Sequence, residues 1–149
     1  MELTVNSFTG DRLYLDANVF IYAMEGFRPY DEIISGLFEA IQDRAVHAVT
    51  SELTLAELLV VPFRENRPDI VAKYEQMLTQ QPSLAVAPVT RSVLYESAGL
   101  ERVWELDYPT AIHAATASAQ SCDFFLTAEK NFKLTEGIRR VLLDEIAPK

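Results

Sequence analysis

Short apolar runs of strand length recur along the chain, and segments with helical spacing separate them. RLYLD (12–16) leads into ANVFIYAME (17–25), and VHAVT (46–50) leads into TLAELLVVPF. LAVAPV (84–89) precedes a helix running to about Trp104, and DFFLT (123–127) and RRVLLD (139–144) close the series. Between the first two runs, Ile33, Ile34, Leu37, Phe38 and Ile41 mark one face of a helix within residues 30–44. Ile70, Val71, Tyr74, Met77 and Leu78 do the same after Pro68, which opens its own helix. Ser51 and Thr90 have the side chains of helix caps. Pro62 limits or kinks the helix after Ser51, and Pro109 starts the small-residue helix TAIHAATASAQ. Strands separated by helices form parallel βαβ units, with a sheet covered on both faces. In such sheets ligands bind beyond the carboxyl ends of the strands, so the residues just after each apolar run are the ones to inspect.

With 149 residues the chain suits one domain, and no repeat, low-complexity tract or linker divides it. Hydrophobic residues make up 49% and charged residues 23%, which excludes wholesale disorder. No apolar stretch approaches the roughly 18 residues of a membrane span. The opening MELTVNSFTGDR lacks the basic flank and apolar run of a secretory signal. Cys122 is the only cysteine, so an intrachain disulfide is impossible and a zinc–thiolate cluster is not expected. These features predict a reduced, cytoplasmic protein. The net charge of −9 makes a poor generic nucleic-acid binder. It does not exclude a nuclease, because acids that gather cations present a positive face to phosphate.

The strand-end rule selects a set of oxygen donors. Asp16 follows the first strand, with Asn18 two residues on. Thr50 and Ser51 follow the second, and Glu57 comes one to two helical turns later. Thr127 and then Glu129 follow the fourth, while Asp107 and Thr110 stand at the start of the small-residue helix. Carboxylates gathered in one cleft raise each other's pKa unless cations neutralise them. Hard oxygen ligands without His or Cys companions favour Mg²⁺ or Mn²⁺, which activates water for phosphodiester cleavage. Each residue also has a plainer reading. Asp16 and Asp107 suit helix caps, Glu129 suits a solvated helix start, and Glu57 suits a narrow polar stripe on an apolar helix. His113, among alanines, suits core packing or a structural hydrogen bond, and His47 and Cys122 are read as structural.

Four blocks, YLDANVFIYA (14–23), TSELTLAEL (50–58), LDYPTAIHAATA (106–117) and FLTAEKNF (125–132), resemble those of the PIN-domain family in order and spacing. The resemblance spans nearly the whole chain. It implies an α/β fold, a three-layer α/β/α sandwich with a four- or five-stranded parallel sheet, as a single domain over 1–149. It also implies a Mg²⁺- or Mn²⁺-dependent ribonuclease, the toxin half of a toxin–antitoxin pair. On the family pattern Asp16 is the first metal-binding acid, Glu57 the second, and Glu129 stands where the last acid is usually Asp. Asn18 and Thr127 are polar supports. Directly after Pro109 the family usually has Asp, and this chain has Thr110, a neutral oxygen. Asp107, three residues earlier, is the nearest substitute. The expectation is a three-acid site that holds one metal firmly and a second weakly, with activity reduced or lost. The implied partners are an RNA substrate, a small antitoxin whose tail blocks the acidic groove, and a second copy of the chain in a homodimer.

Other readings fit less well. A haloacid-dehalogenase-like phosphatase needs a second Asp where Asn18 stands, and a response regulator needs an acid at the end of LAVAPV. The remaining rival is a PIN-like domain that binds RNA or protein without cutting.

Overall fold

The computed structural model describes residues 2–130 and 137–148, with the Trp104 side chain left out. The chain alternates strands and helices, as its apolar runs predict. β1 (Arg12–Leu15) is followed by α1 (Ala17–Glu25) and α2 (Asp31–Gln42). β2 (His47–Ser51) runs directly into α3 (Glu52–Arg64), and α4 (Pro68–Thr79) leads to β3 (Leu84–Ala87). α5 (Arg91–Trp104) and α6 (Tyr108–Ala119) precede β4 (Phe124–Thr127) and β5 (Arg139–Leu142). Two short 3-10 turns, Val5–Phe8 and Leu143–Glu145, flank the series. Neither has an apolar periodicity of its own to announce it.

All strand pairings are parallel, in the order β3-β2-β1-β4-β5. Successive side chains of a strand face opposite ways, and the burial follows suit. Leu13, Leu15, Ala48 and Leu126 face one apolar cluster, which α1, α2, α3 and α4 complete with Phe20, Leu37, Leu58 and Leu78. Tyr14, Val49 and Phe125 face the other, completed by α5 and α6 through Val93, Leu100, Ala111 and Ala114. The result is three layers, with the central strand buried from Leu13 to Leu15. Among the described residues every buried side-chain nitrogen or oxygen has a hydrogen-bond partner. No described helix is long and apolar enough to cross a membrane.

The predicted caps take their places. Ser51 accepts from the Leu53 amide at 3.0 Å, and Thr90 accepts from the Val93 amide at 3.1 Å. Pro62 lies in the final turn of α3, which ends two residues later, so it limits the helix. α6 starts at Tyr108, one residue before Pro109, because Asp107 is its cap.

The strand order fixes where a site can form. Successive crossovers carry the chain from β1 to β2 to β3. The next crossover returns it to the other side of β1, where β4 pairs. The carboxyl ends of β1 and β4 therefore border the point at which the order reverses, the usual crevice of an open parallel sheet.

Candidate active site between the ends of β1 and β4

Leu15 pairs with Leu126, and the Asp16 amide donates to the Leu126 carbonyl at 3.1 Å. That register sets Asp16 beside Thr127 at the mouth of the crevice. Asp16 caps α1, its Oδ1 accepting from the Ala17 amide at 2.9 Å. Its Oδ2 accepts from the Thr127 hydroxyl at 2.8 Å. Capping and site-building therefore coexist in one side chain. A carboxylate has about four lone-pair positions, so these bonds leave Asp16 with acceptor capacity.

Thr127 is buried and saturated. Besides donating to Asp16, its oxygen accepts from the Glu129 amide at 3.0 Å and from Asn18 Nδ2 at 3.4 Å. Asn18 Nδ2 also reaches Asp16 Oδ2 at 3.5 Å, and Asn18 Oδ1 accepts from the Ala128 amide at 3.1 Å. Asn18 thus ties the start of α1 to the turn after β4. Asp16, Asn18 and Thr127, selected from three positions in the sequence, form one network. Glu129 joins it only through its backbone, and its side chain is exposed. The Asn131 and Phe132 end of the FLTAEKNF block lies outside the described residues.

Glu57 stands in a second network. α3 carries it inside the apolar run LAELLVV (55–61), with its side chain 33% exposed. Its Oε1 contacts His113 Nε2 at 2.5 Å. The other ring nitrogen, Nδ1, meets the Tyr14 hydroxyl at 2.6 Å. His113 is buried on α6, and Tyr14 is fully buried on β1. Tyr14 also hydrogen-bonds Thr54, whose hydroxyl lies 2.7 Å from that of Thr50. Thr50 in turn donates to the Leu15 carbonyl at 2.8 Å. Burial and the charges of Asp16 and Glu57 push the Tyr14 phenol well above its ordinary value. Both acids therefore bear on the same hydroxyl, which links the two networks electrostatically.

Asp107 takes the plainer of its two roles. Its Oδ1 accepts from the Thr110 amide at 2.8 Å, capping α6 from an exposed position. Thr110 is half-buried one turn before His113. His113 makes structural hydrogen bonds, as read from its alanine-rich setting, but its partner Glu57 was not legible there. The pair is 56 residues apart in sequence and on two different helices, so no local pattern marks it. The signal was the conjunction of an acid within the apolar run of α3 with a histidine among the alanines of α6.

Among the described residues, no group of three or more His, Cys, Asp or Glu side chains stands close enough to hold a metal ion. Asp16, Glu57 and Glu129 are thus not drawn into a closed cage. Glu57 is engaged by His113, and Glu129 extends from a turn fixed through its amide. The donor chemistry nonetheless fits an ion of the Mg²⁺ kind. The available groups are hard oxygens, and such an ion keeps several waters and takes one or two carboxylates rather than a complete protein shell.

The sequence model of the PIN domain matches residues 13–138. Several solved structures share the fold. VapBC2 from Rickettsia felis, bound to a DNA fragment from its promoter, aligns with a TM-score of 0.69 at 16% identity, over 88% of this chain and 98% of that one. DNA-bound VapBC from Salmonella typhimurium aligns at 0.66 with 18% identity, over 89% and 98% of the two chains. VapC20 of Mycobacterium tuberculosis, a sarcin-ricin loop cleaving toxin, aligns at 0.62 with 13% identity, over 76% and 86%. At these identities the likeness is one of fold. No curated protein matches the sequence.

Proposed function

Because the chain belongs to the PIN-domain family, we propose that it is a divalent-metal-dependent endoribonuclease and the toxin of a toxin–antitoxin pair. It works in this reading as a single domain, in the cytoplasm, and as a homodimer. The observation that carries the reading is the Asp16–Asn18–Thr127 network at the crevice where the strand order reverses. VapC20, with the same fold, is a sarcin-ricin loop cleaving toxin, and a toxin–antitoxin complex from Klebsiella pneumoniae shares the fold as well.

Asp16, Glu57 and Glu129 would hold Mg²⁺ or Mn²⁺, with Asn18 and Thr127 as supports and with Asp107 and Thr110 at the rim. A bound ion supplies positive charge that polarises the phosphodiester and acidifies a water. The chain's own part is orientation. The Ala17 amide and the Thr127 hydroxyl each hold one oxygen of Asp16, at 2.9 and 2.8 Å. Asn18 keeps the turn after β4 at a fixed distance from α1. The partners on this reading are RNA and a small antitoxin whose basic tail meets the acidic groove.

The test is hydrolysis of structured and single-stranded RNA with added Mn²⁺. Cleavage that vanishes in Asp16→Asn supports the enzyme. The absence of cleavage, with RNA or protein binding intact, supports a second reading, a PIN-like module that binds without cutting. Thr110, neutral where the family usually has an acid, favours that second reading, as does the lack of a closed acidic cage among the described residues.

A further inference from the structure

His113 has no part in the metal site as just described, yet it is the residue on which Glu57 rests. A histidine costs free energy to bury unless its ring nitrogens are paired, and both of these are. The ring is held on three sides. Tyr14 lies edge-on to it, with centroids 5.8 Å apart at 62°. The Tyr14 hydroxyl meets Nδ1, and the helix that carries the ring is packed through Ala111, Ala114, Ala115 and Ala117, all buried. The Glu57 carboxylate only accepts, so Nε2 carries the N–H in this contact, and in that tautomer Nδ1 accepts from the Tyr14 hydroxyl. A glutamate on a helix surface otherwise samples several rotamers, and ordering it on binding would cost entropy. Here the rotamer is set in advance by a rigid donor.

We propose that His113 is a positioning residue. It clamps Oε1 of Glu57 and thereby leaves Oε2 as the oxygen offered to a divalent cation. The inference rests on the metal-dependent reading above. Groups that hydrogen-bond a metal-binding carboxylate orient it, and their loss costs about 10–100-fold in metal affinity. Thr110 and His113 are three residues apart on α6 and so share a face. That face carries a neutral hydroxyl at Thr110 and, against Glu57, an N–H donor at His113, instead of a further carboxylate.

Mn²⁺ binding to the whole protein, read from the electron paramagnetic resonance of the free ion, tests this without reference to turnover. His113→Leu keeps the volume and removes the donor, and it should weaken Mn²⁺ about tenfold. His113→Gln restores an N–H near the Nε2 position and should return the affinity to within a few-fold of wild type. A folded Leu variant that binds Mn²⁺ as tightly as wild type overturns the proposal. So does a Gln variant as weak as the Leu one. Should the Leu variant fail to fold, the wild type decides. On titration with Mg²⁺, the nitrogen-15 resonance of His113 Nε2 should shift while those of His47 stay in place. An unmoved His113 resonance at saturation overturns the positioning role. Wild type that takes up no Mn²⁺ at millimolar concentration sinks the metal reading and this proposal together. Wild type that binds while the Leu variant matches it sinks the positioning role alone.

Discussion

Thr127 uses all of its hydrogen-bonding capacity inside the crevice, donating to Asp16 and accepting from Asn18 and the Glu129 amide. Thr127→Val keeps the shape and removes all three bonds. Its partners are only partly buried, so leaving them unpaired costs about 1 kcal/mol, and the urea midpoint should fall accordingly. Freed from its orienting donor, Asp16 should also bind Mn²⁺ about tenfold more weakly, as calorimetry would show. Asp16 and Thr127 were legible in the sequence because each directly ends an apolar run, and a parallel sheet puts run ends together. The Glu57–His113 contact was not, because it depends on how α3 and α6 meet the sheet. Glu129 shows the limit in another way. Its position after β4 was correctly placed, but only the folded turn reveals that its amide, rather than its carboxylate, engages the network.

Helix starts were the most readable elements. Ser51 and Thr90 cap as their sequences suggest, and Asp107 does the same for α6. Asp107→Ala should cost about 1 kcal/mol of stability, the usual cost of losing a cap, with Mn²⁺ affinity unchanged. A drop in Mn²⁺ affinity would instead make Asp107 a stand-in for the acid missing at position 110. The 3-10 turns were unreadable, since their few residues are placed by what they dock against. One of them matters to stability. Tyr30, at the N-terminus of α2, donates to Asp144 in the turn after β5, and Asp144 also pairs with Lys130 at 3.2 Å. The Asp144 bond, aided by slight burial, pushes the Tyr30 phenol up to about 12. An unfolded tyrosine ionises near about 10. The folded state therefore holds this proton more tightly, and the contribution is complete below the unfolded value. It is lost as the pH rises through about 12. Tyr30→Phe should flatten the alkaline fall of stability, measured as urea midpoints across that window.

A parallel sheet covered on both faces followed from alternation, because strands separated by helices have few arrangements that bury both faces. The three-layer form came with the family resemblance, and the strand order only with the structure. Quaternary structure is a separate matter. Val60, Val61 and Phe63 are exposed toward the end of α3, and Tyr95 and Val103 are exposed along α5. Exposed apolar side chains in such number mark association surfaces when they are contiguous. Light scattering at tens of micromolar should give the mass of two chains, and Phe63→Glu or Tyr95→Glu should return one. A monomer mass for the unaltered protein would refute the homodimer.

The bond between Asp16 and Thr127 spans 111 residues. Domains are made from the N-terminus at about 5–20 residues per second, so Asp16 leaves the ribosome several seconds before its partner is polymerised. β1 also cannot gain its second neighbour until β4 has emerged. A nascent chain consequently lacks this crevice for most of its synthesis. Any product cut short ahead of Phe124 would lack it altogether, so whatever chemistry the crevice performs belongs to the finished chain alone.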